Sequence, residues 1–277
     1  MKKILVTTDL SANTKAGMRF AIQLASQHNY ELSFFHSYYV MKPTSWSDAS
    51  FYHLEKKSKE TIEKKLNVLV DSVYKSMKRS SKNKKCIISS AVLADSDIMD
   101  FATTNKFDFI CMSTRGAGKI KKLFGTNTSN LIKHSPISVI GVPGTYRPKK
   151  INNILYASDL KNLDVELKRV VEFAKPLSAN VELLHFNFPI ESESKSTIAT
   201  EAVNKFSKSK IKLQLKNINL ADSLIKNIEQ VVKKSKPSMM IMFTEQNKSF
   251  FERLFLSSKS AEFSFKLEVP LLVFNKA

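Results

Sequence analysis

The sequence predicts two tandem α/β domains, each a doubly wound, five-stranded parallel sheet. Three observations carry that prediction. Ile4-Leu-Val-Thr-Thr-Asp-Leu10 recurs as Ile154-Leu-Tyr-Ala-Ser-Asp-Leu160, so the two halves read as copies. Short β-branched or aromatic runs alternate with segments of helical period, the pattern of a parallel sheet whose crossovers cover both faces. With 277 residues and 43% hydrophobic content, the chain can bury two cores of ordinary size.

In the first half the strands are expected at Ile4–Val6, Leu32–Phe35, Ile87–Val92, Phe107–Met112 and Val139–Val142. Residues 13–27 place Ala16, Phe20, Ala21 and Leu24 on one helical face. A long helix from about Ala49 to Lys78 repeats Leu66, Val70, Val73 and Met77, and residues 96–105 carry Ile98 and Phe101. A fourth helix opens at Gly125-Thr126 and runs through Asn130, Leu131 and Ile132. Gly144 to Lys150 loses all periodicity between Gly and Pro and reads as the linker, which gives domains at 1–146 and 147–277. The second half repeats the order with strands at Ile154–Tyr156, Val181–Phe186, Ile211–Leu215, Met239–Phe243 and Leu271–Phe274. Its second helix is confined to residues 191–209, with Glu191–Ser196 as a flexible lead-in, and another helix is expected over 221–234.

Composition narrows the functional classes. No apolar run approaches a membrane span, and Met1-Lys-Lys leads straight into a strand, so a soluble cytoplasmic protein without a membrane partner is expected. Cys86 and Cys111 lack metal spacing and sit in apolar runs. His28, His53 and His134 make no zinc or triad pattern, and no metal or catalytic residue is assigned. The net charge of +19 falls as +14 on residues 1–150 and +5 on the rest. Much of that charge, in Lys56 to Lys59, Lys64, Lys65 and Lys75 to Lys85, reads as solvated helix surface interleaved with Glu55, Glu60 and Glu63. Nucleic acid is an unfavoured partner that the charge does not exclude.

All six glycines precede residue 145, and three lie in Ser113-Thr-Arg-Gly-Ala-Gly-Lys-Ile-Lys-Lys-Leu-Phe-Gly-Thr-Asn-Thr128. In an open parallel sheet, ligands bind beyond the carboxyl ends of the strands where the strand order reverses, so the residues after strands one and four form the candidate site. Glycine removes the Cβ that would block a phosphate, and a helix N-terminus supplies free N–H groups. Thr126 and Thr128 add hydroxyls, and Lys119, Lys121 and Lys122 lie within the loop segment, where reaching a phosphate and facing water are equal readings. Asp9 also has a structural reading as a turn or cap residue, since Asp159 repeats it. His36 and His185, each closing a strand, read as packed residues.

Thr7-Thr8-Asp9 at the end of strand one, His36 closing strand two and the glycine loop before Gly125-Thr126 resemble the universal stress protein family, and the duplication resembles its tandem members. The resemblance implies the adenine nucleotide alpha hydrolase-like (HUP) fold and an ATP or AMP site, with Mg as an optional companion. Carried onto this chain, Asp9 is the nucleoside-side carboxylate, Thr7 and Thr8 line the base, and Ser37 lies at the backbone position for adenine. Met112, Ser113, Arg115 and Gly116 begin the phosphate loop, and Gly125, Thr126, Asn127 and Thr128 finish it. Ser113 stands where the family pattern has its first glycine, and eight residues separate Gly116 from Gly125 where the pattern has nine.

In the second half the matching stretch, Phe243 to Ser258, has no glycine and carries Glu245, Phe250 and Phe251. That domain is expected to bind no nucleotide triphosphate and to pair with the first, with homodimerisation left open. The chain then reads as a stress-response nucleotide-binding module with little or no catalysis. A ligand-free interaction protein and a slow ATPase are the alternatives. Enzymes of similar architecture would show Ser-Gly-Gly-x-Asp-Ser after strand one or a His-x-Gly-His pair, and Thr8-Asp-Leu-Ser-Ala12 shows neither.

Overall fold

Five parallel strands form the sheet of the first unit in the order β3-β2-β1-β4-β5. They are β1 (Lys3–Thr7), β2 (Glu31–Tyr38), β3 (Lys85–Ser90), β4 (Phe109–Thr114) and β5 (Ser138–Pro143). The computed structural model describes residues 1–82, 84–114, 126–187, 194–207, 209–244 and 268–275. These fall in two compact units, 1–147 and 148–275.

Four helices cover the first sheet: α1 (Lys15–Gln27), α2 (Asp48–Ser76), α3 (Ala94–Thr104) and α4 (Thr126–His134). Helix α1 packs with α2, and α3 packs with α4. Right-handed crossovers require this division, because the chain steps outward through β2 and β3 and then returns past β1 to reach β4. The reversal lies between β1 and β4. The expected apolar faces are the buried ones: Ala16, Phe20, Ala21 and Leu24 on α1, and Leu66, Val70 and Val73 on α2. Met77 instead terminates α2 and is half-buried, and none of residues 48–65 is buried.

Two strands shift against expectation, each because of its partner. β3 ends at Ser90, not Val92: the Ala91 N–H makes the final bond to Tyr38 O (2.8 Å), and β2 continues no further. Val92 and Leu93 are therefore exposed, 72% and 63%, and α3 begins at Ala94. β4 runs on to Thr114 because β5 pairs with it as far as Pro143, while Phe107 is buried just ahead of the strand.

The second unit has the same parallel order, β8-β7-β6-β9-β10. Its strands are β6 (Asn153–Ala157), β7 (Asn180–Asn187), β8 (Ile211–Asn217), β9 (Met239–Thr244) and β10 (Leu271–Asn275). Its helices are α5 (Leu163–Ala174), α6 (Ser194–Lys205) and α7 (Leu224–Ser235). Helix α7 starts later than residue 221 because Ser223 caps it, its hydroxyl accepting the Lys226 N–H at 3.2 Å. Of the expected lead-in over 191–196, residues 194–196 already belong to α6, while 191–193 and the stretch from Glu245 to Ser258 lie outside the described residues.

Candidate functional site

The end of β1 is built by a turn that both units share. The Asp9 carboxylate accepts the Ser11 N–H at 2.9 Å, and Thr8 Oγ1 accepts the Leu10 N–H at 2.9 Å. Together these bonds hold Leu10 at φ 63, a left-handed conformation that ordinarily costs a non-glycine residue on the order of 1–2 kcal/mol. His36 Nδ1 lies 2.8 Å from Thr8 O, and a carbonyl can only accept, so Nδ1 carries the proton. In the second unit Lys161 N–H donates to Asp159 (3.1 Å), Leu160 N–H to Ser158 Oγ (3.0 Å) and His185 Nδ1 to Ser158 O (2.9 Å), and Leu160 also has φ 63. The Asp and His of the motif therefore serve the turn in both copies.

A directed chain of hydroxyls runs beneath the first turn. Thr14 Oγ1 donates to Ser11 O (2.7 Å), which leaves Thr8 Oγ1 as the donor to Thr14 Oγ1 (2.9 Å). On β4, Ser113 Oγ donates to Thr14 O (3.1 Å) and accepts the Gly17 N–H (2.7 Å). Ser113 thus caps the N-terminus of α1 from another strand, and the helix's own Thr14 side chain makes no such bond. A Cβ on Gly17 would lie 3.0 Å from both Ser113 N and Ser113 Oγ, so the glycine is what allows β4 and α1 to approach this closely.

Above this floor lies a cavity of about 180 Å³ at the carboxyl end of the sheet. Eight of the residues singled out from sequence line it: Thr7, Thr8 and Asp9 from β1 and its turn, Ser37 from β2, Met112 and Ser113 from β4, and Asn127 and Thr128 from the first turn of α4. Thr126 is the first residue of α4. Arg115, Gly116 and Gly125, with Lys119, Lys121 and Lys122, lie outside the described residues. Asn13, Thr14, Ala94, Ile98 and Thr114 also line the cavity and carried no motif. The nearest sequence signal was Ile98, visible only as one apolar position on a helix.

The hydroxyls differ in what they can still do. Those of Thr8, Thr14 and Ser113 have spent their protons within the floor, and Thr114 donates to Val142 O (3.2 Å). Ser37 Oγ is buried and has no hydrogen-bond partner among the described residues. A hydroxyl in that state costs about 1–3 kcal/mol until something satisfies it. Ser37 was singled out for its backbone position, and its side chain proves to be the more informative group.

The second unit carries different side chains at the equivalent positions. By register, Ile154 pairs with Met239 as Ile4 pairs with Phe109, so Phe243 stands where Ser113 stands, Tyr156 replaces Val6 and Glu166 replaces Ala16. Phe243 packs against Tyr156 and Phe274 with ring centroids at 5.7 and 5.1 Å, and the Arg169 guanidinium lies over Phe274 at 4.5 Å. The Tyr156 hydroxyl donates to the buried Glu166 carboxylate, and burial together with that carboxylate pushes the phenol far above its ordinary value. Of these three replacements, Phe243 is the one at a cavity-lining position, where it sets a buried aromatic ring in place of the Ser113 hydroxyl.

Among the described residues no group of three or more His, Cys, Asp or Glu is placed to hold a metal, and no helix is long and apolar enough to cross a membrane. Cys111 is fully buried and Cys86 half-buried. Burial raises the thiol of Cys86 to about 11, and that of Cys111 higher still.

The same architecture recurs in known proteins. A universal stress protein from Archaeoglobus fulgidus matches 99% of this chain and 98% of its own at 15% identity, with a TM-score of 0.73. A putative universal stress protein from Pseudomonas aeruginosa covers 99% and 93% at 14% identity and a TM-score of 0.59. A universal stress protein solved in complex with cAMP matches 51% of this chain and 96% of its own at 18% identity, with a TM-score of 0.39. No curated protein sequence matches significantly. At such identities the full-length likenesses establish the fold alone. The model of the universal stress protein family matches residues 1–143, and the chain belongs to that family.

Proposed function

We propose that the first unit binds an adenine nucleotide, ATP or AMP, in the β1–β4 cavity, with little or no turnover, and that the second unit binds none. One observation carries the reading: residues chosen from four separate sequence elements converge on a single cavity at the point where the strand order reverses. The donors left for a ligand suit a nucleotide. Ser37 lines the cavity with a buried hydroxyl available to the base and sugar, and the α4 N-terminus offers its backbone N–H groups and the positive end of its dipole to the phosphates. Mg enters the proposal only as the counter-ion of a triphosphate. Turnover is disfavoured because His36 is tied to the turn, and its counterpart His185 makes the same bond in the second unit.

Calorimetry of the purified chain with ATP and AMP tests this reading. One nucleotide per chain is expected. Gly125→Lys should abolish binding, and Ser37→Ala should weaken it by about tenfold, the equivalent of about 1.4 kcal/mol. An unaltered chain that takes up neither nucleotide would favour a ligand-free interaction protein instead.

A further inference from the structure

Because all strands of the first unit run the same way, their amino-terminal ends share one end of the unit with the carboxyl-terminal ends of the helices, opposite the cavity. Three stretches far apart in sequence bring cations there. Lys2 and Lys3 enter β1, Lys75 to Lys85 lead from the last turn of α2 into β3, and Lys106 precedes β4. Hydrogen bonds tie these stretches together: Glu31 N–H to Lys2 O (2.9 Å), Asp108 N–H to Lys3 O (3.0 Å) and Lys3 Nζ to Asn105 O (3.3 Å).

Three carboxylates at this end are engaged, and exposed Asp100, one turn before the end of α3, makes no ion pair among the described residues. Asp71 pairs with Lys84, Glu31 pairs with Lys85, and Asp108 accepts the Lys3 backbone N–H at 2.7 Å. Lys2, Lys75, Lys78, Arg79, Lys82 and Lys106 are all exposed, and among the described residues none of them makes an ion pair. This differs from residues 48–65 of α2, where lysines alternate with acids. Ordinary structural roles cover part of the charge: Lys75 complements the α2 dipole, and Lys85 guards an edge strand. They do not reach Lys78, Arg79 and Lys82, which lie beyond the helix end, nor Lys2 and Lys106. The second unit, taken by itself, repeats the placement with Lys149 and Lys150 before β6, Lys210 before β8, and Lys236 before β9.

We propose that the amino-terminal end of the first unit is a docking face for the phosphate backbone of double-stranded nucleic acid, separate from the cavity and independent of what the cavity binds. Among the described residues, the large apolar side chains exposed toward this end are Met1 and, two turns before the end of α2, Val68, which are too few to form an insertion patch; Tyr39, Trp46 and Tyr52 belong to the opposite end. Single-strand binding needs aromatic stacking platforms, and peripheral membrane binding needs apolar groups to insert. Duplex backbone needs only unpaired cations, which this face supplies.

The test is fluorescence anisotropy of a labelled mixed-sequence DNA duplex of about 20 base pairs across a KCl series. Binding is expected to weaken linearly in log–log form. The triple variant Lys2→Gln, Arg79→Gln, Lys82→Gln should lower the slope by about 3, at about 0.9 for each phosphate that is no longer neutralised. Lys56→Gln, Lys59→Gln, Lys64→Gln removes equal charge from α2 and should leave the slope unchanged. Equal reductions in both triples would overturn the proposal, because diffuse charge would then suffice. So would a lack of duplex binding at low salt, displacement of the duplex by excess AMP, or retention by anionic vesicles without binding to the duplex.

Discussion

Asp9 holds a turn and faces a cavity at once, and its twin Asp159 shows that the first job does not depend on the second. Single groups elsewhere in the first unit make its stability depend on alkaline pH. Burial, helped by Asp108, raises the Tyr30 phenol from 10.0 to about 12, and burial raises Cys86 from 9.0 to about 11. Both groups are acids whose folded-state values lie above their unfolded ones. The stability they contribute is therefore complete below about pH 9 and is lost as pH rises toward about 12. Denaturant midpoints measured across that window should fall with pH, and Tyr30→Phe should flatten the decline above about pH 10. An equally steep decline in the variant would show that Tyr30 is not its source. At this scale the sequence revealed Asp9 and Ser37 as positions. It could not reveal that the Ser113 hydroxyl is spent capping α1 while that of Ser37 is unspent, because the first depends on atoms about 100 residues away in sequence and the second on which groups surround β2 in the fold.

Among elements, the contact between α1 and β4 decides whether a cavity exists. Gly17 and Ser113 form one device: the glycine admits the strand, and the serine caps the helix in return. Gly17→Ala should destabilise the chain by about 1–3 kcal/mol through overpacking, even though alanine is the better helix former by about 1 kcal/mol. Urea denaturation checks this, and a stabilised variant would mean that β4 yields freely. Helical period was enough to place α1 and the packed half of α2, because buried apolar residues recur there every three or four positions. Strand ends were not legible from period. β3 stops where β2 stops and β4 continues as far as β5, so each boundary belongs to a pair of strands and not to a single run.

At the scale of the whole chain, one architecture appears twice with different side chains in the same region. Hydrogen exchange in the presence of AMP should slow amides over residues 8–14 and at Asn127 and Thr128, and leave residues 158–164 unchanged. Protection of both turns would show that the second unit binds AMP as well. Repetition, alternating periods and the glycine imbalance were enough to predict two parallel α/β folds and to choose eight residues that meet at one cavity. Those are local and periodic properties, and a chain displays them without folding. The packing of Phe243 against Tyr156 and Phe274, the commitment of individual hydroxyls and the gathering of unpaired cations at one end were decided only by tertiary structure. Each depends on which strands become neighbours and in what register, and linear spacing does not encode that distance.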